Sequence, residues 1–197
     1  MSQRDQLTAY RSKRRPEVSG EPTGGTPREK QTFVIQRHDS RRLHFDLRLE
    51  IGGVLVSWAV PRGPSQDPSE KRLAVRTEDH PLDYARFEGV IPGGEYGAGR
   101  VVVWDIGTYQ NISHDRHDEP VSIEEALERG HIGFWLHGTR LTGPFALTKT
   151  PTSGRQEPWL LVKARGVGTD RRAHPALTST ESVLTGQASP GAGGRSV

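Results

Sequence analysis

The chain has 197 residues, room for one domain with a real core plus flexible ends, and its 32% hydrophobic content with 23 Gly and 14 Pro favours short strands and loops over a helical bundle. Cysteine is absent, which excludes a disulfide framework, thiolate zinc ligands and a cysteine nucleophile, so any metal must sit on His, Asp or Glu. The net charge of +3 is uneven: residues 1–48 hold 11 Lys or Arg against 6 Asp or Glu, and 22 of the 27 basic residues are Arg, whose planar fork suits phosphate.

Residues 1–30 are polar and contain SGEPTGGTPREKQ, so they read as a partly flexible N-terminal arm that orders over a ligand. The start has no apolar h-region, and no stretch approaches the ~20 apolar residues of a membrane span. A cytoplasmic protein without a membrane partner is expected. Strands are expected over 32–38, 42–50, 53–60, 72–77, 100–105, 132–137, 140–147 and 158–164, with a turn at Gly52-Gly53. One short helix is marked by the capping box from Ser122 to Glu125 and the stop at Gly130. The fold class that follows is β-rich (α+β): a compact closed or nearly closed β-barrel over residues 31–170 with a few short flanking helices. Residues 171–197, ending in GQASPGAGGRSV, read as a flexible tail.

Chemistry concentrates in RHDSRRLHFDLRLE at 37–50. From Leu43 onward the apolar residues Leu43, Phe45, Leu47 and Leu49 alternate with His44, Asp46 and Arg48. A half-buried strand with a solvated outer face would explain such a pattern. The residue types also offer a metal site: His38, His44 and Asp46 supply two imidazoles and one carboxylate, a set that suits Mn, Zn or Fe and leaves positions open for water and substrate. A hairpin turning at Asp39-Ser40-Arg41 brings His38 to the other two. A second cluster, RLAVRTEDHPLDY, supplies Arg72, Glu78, His80 and Tyr84. Arg and Tyr can hold phosphoryl oxygens, and a His80 titrating near neutrality can give a proton or hydrogen bond to a transition state. The ordinary alternative places Arg72 and Arg76 on a solvated strand and EDHP in a turn.

These residues carry a resemblance. His38-x5-His44-x-Asp46-x-Arg48, then SWAVPRGPS (57–65), EDHPLDYARFEGVIPGGEYGAGRVVVWDIGTY (78–109) and PWLLVKAR (158–165), resemble the 3′-phosphoesterase module of bacterial DNA ligase D and of stand-alone bacterial and archaeal homologues. The resemblance covers roughly residues 8 to 165. It implies a compact β-barrel and a manganese-dependent enzyme, with Zn²⁺ or Co²⁺ as alternatives. The activity implied heals 3′ ends: a phosphodiesterase removes a terminal ribonucleoside, and a phosphomonoesterase removes the remaining 3′-phosphate. By motif position it makes His38, His44 and Asp46 the metal ligands, puts Arg48 and His80 on the scissile phosphate, and has Tyr84 hydrogen-bond it. Arg72 and Glu78 match residues needed on the ribonucleotide end. In the arm YRSKRRPEVSGEP, Arg14 and Glu21 occupy matching positions, and Arg62 stands where the family often carries Lys. The family commonly has an acidic residue where this chain has Arg15, a departure that bears on the diester step. Truncation to Thr32 is then expected to spare the monoester step. The implied partners are primer-template 3′ ends with a ribonucleotide or 3′-phosphate terminus, and a DNA ligase, a polymerase/primase module and Ku in the same pathway.

Two other classes fit parts of the pattern. A non-catalytic DNA-end-binding module would need only the basic arm. An iron and 2-oxoglutarate oxygenase would use His44-x-Asp46 with His131 or His137. His114, His117, His131, His137 and His174 are otherwise expected to be structural or exposed, and Trp58, Trp104, Trp135 and Trp159 to belong to the core.

Overall fold

The structure is a computed structural model that describes residues 6–27, 31–151, 154, 156–165 and 179–188. Its strands are β1 (Thr32–Asp39), β2 (His44–Ile51), β3 (Val54–Val60), β4 (Arg72–Arg76), β5 (Gly89–Ile91), β6 (Gly99–Asn111), β7 (His131–Gly138), β8 (Thr142–Lys149) and β9 (Pro158–Lys163). They pair in the order β1-β2-β3-β4-β9-β8-β7-β6, and β6 returns to β1, closing an eight-stranded antiparallel barrel with β5 attached to the other edge of β6.

Local chemistry explains most of the connections. Ile51 pairs with Val54 across the two-residue loop Gly52-Gly53, and both glycines have positive φ (+60° and +83°), as a type I′ hairpin requires. Alternation in β1 and β2 sends Phe33, Ile35, Phe45, Leu47 and Leu49 into the barrel, where they meet Trp58, Trp104 and Trp159. The expected helix is α3 (Ile123–Arg129): the Ser122 hydroxyl accepts from the Glu125 N–H (3.1 Å), and Gly130 ends it at φ +76°.

Most strand ends shift by one or two residues from expectation, and two differences are larger. Strand β6 runs to Asn111 because it serves two partners on one edge, β5 and then β7, and β1 on the other. Gly107, which looks like a strand end in sequence, is instead a close approach: a Cβ there would lie 2.1 Å from the His137 carbonyl oxygen. Strand β5 was not foreseen, being only three residues long.

The arm is packed on the barrel over residues 6–27, not loose. Helices α1 (Thr8–Ser12) and α2 (Pro16–Ser19) flank a turn, and Gly20 closes α2 in the left-handed region. Leu7 joins the barrel interior, while Tyr10 joins a second cluster outside it with Val34, Leu55, Leu82, Tyr84, Ala85 and Val103. Two apolar residues three apart give a mostly polar segment one adhesive face. Within the expected tail, over 179–188, the Val183 N–H donates to Val103 O (2.9 Å) and Ser182 is buried. Residues 171–178 and 189–197, and with them His174, lie outside the described residues. No helix of the described residues is long and apolar enough to cross a membrane.

Candidate active site

The outward face of β1 and β2 is not solvated. The arm, the segment 77–87 with its 3₁₀ turn (Leu82–Arg86), and the β5–β6 loop cover it, leaving Asp46, Arg48 and His80 each less than 9% exposed. Between them remains a cavity of about 840 Å³, lined among others by His38, His44, Asp46, Arg48, His80 and Tyr84.

His38 and His44 are the last paired residues of the β1–β2 hairpin, and Asp46 follows two residues on with its side chain on the same face. His38 donates from Nε2 to Gly97 O (2.8 Å), which leaves Nδ1 facing Asp46 Oδ2 at 3.6 Å. His44 donates from Nδ1 to Arg42 O (2.9 Å), which leaves Nε2 facing Asp46 Oδ1 at 3.7 Å. Each backbone carbonyl therefore selects the tautomer that presents a lone pair to the carboxylate. Donors about 2.1 Å from one ion are at most about 4.2 Å apart. Both measured pairs fall inside that limit, and all three donor atoms lie within 4.8 Å of one another, about 0.6 Å wider than the limit, so the set could hold a divalent cation once the side chains draw slightly together.

Burial alone would raise the Asp46 carboxyl, but the opposing influences, led by the Arg48 guanidinium, outweigh it and hold it well below the usual carboxylate range. Asp46 is thus an anion ready to ligate. Arg48 is held on three sides: it donates from Nε to Gln36 Oε1 (2.8 Å), from Nη1 to Ser57 Oγ (2.9 Å) and from Nη2 to Asp46 Oδ2 (3.2 Å). Gln36 in turn donates to Tyr84 O and Phe87 O (both 3.0 Å), and the Ser57 hydroxyl donates to Leu55 O (2.8 Å). The fork is locked in one orientation.

His80 differs from expectation. Its Nδ1 donates to Glu78 O (2.9 Å) and its Nε2 accepts from Arg14 Nη2 (3.2 Å), while Arg48 Nη1 lies 2.9 Å from Nδ1. Burial first, then the charges of Arg48 and Arg14, push the imidazole well below its ordinary value, so it is neutral at pH 7 and does not titrate near neutrality. Tyr84 shifts the other way: burial keeps its phenol protonated, and the hydroxyl donates to Glu21 Oε1 (3.1 Å).

The arm reaches this network through Arg14, whose Nε donates to Glu21 Oε1 (2.9 Å) and Nη1 to Glu78 Oε1 (2.8 Å), with the guanidinium 4.2 Å above the Tyr10 ring. Lys13 adds a second cation to Glu78 (3.2 Å), and Arg15 pairs with Glu95 of the β5–β6 loop. The basic residue at position 15 is thus matched by a carboxylate across the cleft.

The structure accordingly brings together His38, His44, Asp46, Arg48, Glu78, His80, Tyr84, Arg14 and Glu21. It does not bring Arg72 or Arg62 to the cavity: Arg72 pairs with Glu70, and Arg62 is exposed in the turn after β3. His131 and His137 are exposed on β7 and neither lines the cavity, so the oxygenase pattern lacks its distant histidine. Trp58, Trp104 and Trp159 are core, whereas Trp135 is half-buried. Gln36 and Ser57, which fix Arg48, were missed. Gln36 stands two residues before His38 on the same strand face, a signal that strand period alone could have supplied. Ser57, opposite Arg48 on β3, needs the register.

The closed barrel thus carries a triad that could hold a metal ion beside a fixed guanidinium, and comparisons with known proteins identify the family. The family model for the DNA ligase D 3′-phosphoesterase domain matches residues 36–149. The multifunctional non-homologous end joining protein LigD of Pseudomonas aeruginosa is 49% identical over 163 residues, 81% of this chain and 18% of that protein. The corresponding DNA repair protein of Mycobacterium tuberculosis is 47% identical over 152 residues, 74% of this chain and 18% of that protein. That of Mycolicibacterium smegmatis is 45% identical over 157 residues, 74% of this chain and 19% of that protein. The chain spans about a fifth of the length of these relatives. The match of 36–149 takes in the metal triad, Arg48, His80 and Tyr84, and the chain therefore belongs to the DNA ligase D 3′-phosphoesterase domain family.

Proposed function

We propose that the chain is a metal-dependent phosphoesterase that heals DNA 3′ ends, removing a terminal ribonucleoside and then the 3′-phosphate to leave a ligatable 3′-OH. The observation that carries the reading is the meeting of His38, His44 and Asp46 with the immobilised Arg48 in one cavity. A divalent cation in that triad, Mn²⁺ with Zn²⁺ or Co²⁺ as alternatives, supplies Lewis-acid polarisation of a phosphoryl oxygen.

The protein's own groups do the rest. Arg48 makes charge-assisted hydrogen bonds to the phosphoryl oxygens without reorganising, because Gln36, Ser57 and Asp46 already hold it. Tyr84 stays protonated at all working pH, and its single hydroxyl proton, held by Glu21 Oε1 in the free protein, turns to the phosphate when substrate binds. His80 enters neutral. A phosphate dianion set between Arg48 and Arg14 offsets two of the causes that depress its basicity, so the imidazole gains proton affinity only once substrate is bound. Glu21, Glu78 and Arg14 then hold the nucleoside side of the cleft, the arm's binding energy serving the diester step. Arg62 and Arg72 act away from the reacting phosphate. The pathway partners in this reading are a DNA ligase, a polymerase/primase module and Ku, since the relatives are end joining proteins by name.

The test is a 5′-labelled primer-template with one 3′-terminal ribonucleotide, incubated with and without Mn²⁺. Successive 3′-phosphate and 3′-OH products that vanish with a chelator support the proposal. Tight end binding with no metal-dependent phosphate release would leave a non-catalytic end-binding module instead.

A further inference from the structure

The hairpin that carries the two histidine ligands ends in Arg41 and Arg42, both exposed, and Arg41 lines the cavity. Among the described residues neither is within ion-pair distance of a carboxylate, in contrast with Lys13, Arg14, Arg15, Arg37, Arg72 and Arg76. The barrel's register extends this charge along one rim. Arg100 pairs with Asp39 at the end of β1. Arg62 follows β3 in the turn closed by the Gly63 N–H on Val60 O (3.0 Å), and Val60 is the partner of Phe45. Lys71 directly precedes β4, whose Val75 pairs with Ala59 of β3.

Strands β6, β1, β2, β3 and β4 are consecutive neighbours, so Arg100, Arg41, Arg42, Arg62 and Lys71 mark one rim of the barrel in strand order. Four intervals of about 4.8 Å give an arc of roughly 19 Å. The carboxylates beside it are largely spoken for: Asp39 pairs with Arg37, Glu70 with Arg72, and Asp67 accepts from Ser69 in its own turn. The opposite end of the barrel is acidic instead, with Asp115, Glu119, Glu124, Glu125 and Glu128 around α3.

We propose that this rim is the track for the duplex next to the reacting 3′ end, with Arg41 at the cavity mouth and Arg100, Arg42, Arg62 and Lys71 contacting successive backbone phosphates. The inference rests on the 3′-end reading above and gives its substrate a direction: the double-stranded stem leaves the cavity across the β1–β2 tip. Four of the eight intervals are half the circumference, so the straight span across the rim is about 12 Å, room for about three or four base pairs at ~3.4 Å each along the axis. It also gives Arg62 a phosphate to meet despite its distance from the cavity lining.

The experiment pairs two readouts on the Arg62→Ala, Lys71→Ala double variant, with Lys149→Ala at the acidic end as control. Binding of a fluorescent primer-template across a salt series should lose about two units of slope in log K against log [salt], because each phosphate contact contributes about 0.9. The control should leave the slope unchanged. Metal-dependent phosphate release should show a raised KM on the primer-template and an unchanged rate on a 3′-phosphorylated dinucleotide, which is too short to reach the rim. An unchanged salt slope, or equal losses on both substrates, overturns the track. Failure of wild type to release phosphate from either substrate while the slope change persists would sink the catalytic reading and leave the track standing.

Discussion

Arg14 joins the arm to the barrel, and replacing it by Met tests whether that junction is part of the fold. The side chain is 5% exposed, and its carboxylate partners Glu21 and Glu78 are 1% and 6% exposed. Arg14→Met keeps the aliphatic stem on Tyr10 but leaves two buried carboxylates without their guanidinium, with only the half-exposed Lys13 beside Glu78. Removing one partner of a buried pair costs about 3–5 kcal/mol. At roughly 2–4 °C per kcal/mol for a chain of this size, the melting temperature should fall by about 6–20 °C. The pH dependence has a definite sign. In the wild type burial pushes the Glu78 carboxyl up, but Arg14 and Lys13 outweigh it and hold the group below its ordinary value. Its contribution is therefore present above the carboxylate range and lost as pH falls through the folded pKa. In Arg14→Met burial acts nearly unopposed, the carboxyl titrates higher, and protonation relieves the variant. The gap between the two proteins should narrow as pH falls from neutral toward the carboxylate range, and adding Glu78→Gln to Arg14→Met should recover part of it at pH 7. Thermal unfolding followed by circular dichroism across pH measures all three. A drop under about 2 °C, or a gap that widens in acid, would refute the claim that the arm is ion-paired into the site.

Arg48→Lys should cut the monoester kcat by about 10²–10³, the loss typical of one oriented donor, because a single ammonium cannot meet Gln36, Ser57 and Asp46 and still face a phosphate. Steady-state rates within threefold of wild type would remove Arg48 from the phosphate. A chain beginning at Thr32 should slow both steps and melt lower, since it loses Leu7 from the barrel interior, Tyr10 from the outer cluster and Arg14 from beside His80. Full retention of 3′-phosphatase activity would restrict the arm to the ribonucleoside, as the sequence alone suggests.

The metal triad and its strand were legible because both depend on short-range periodicity. His44 and Asp46 two apart on an alternating segment share a face wherever that strand goes, and a five-residue turn returns the chain from His38 to His44. The Gly52-Gly53 hairpin and the Ser122 cap were readable for the same reason: turn and cap chemistry is settled within four residues. What covers the polar face was not. A row of His, Asp and Arg on a strand reads equally as solvated or buried, and only the packing of the arm, the 77–87 segment and the β5–β6 loop over it decides for burial. Burial then changes the chemistry, turning His80 from a neutral-range titrating group into a neutral imidazole between two guanidinium ions. Placement of the cations was likewise tertiary. Arg62 and Arg72 look like active-site residues by motif, yet the barrel sets them outside the cavity, while Gln36 and Ser57, ordinary in sequence, become the supports of Arg48 through strand register. The sequence by itself determined which residues share a strand face, because side-chain direction is a local property of the backbone. Which face is covered, which charges meet and which stand free was decided by contacts between residues tens of positions apart, and those exist only once the barrel has closed.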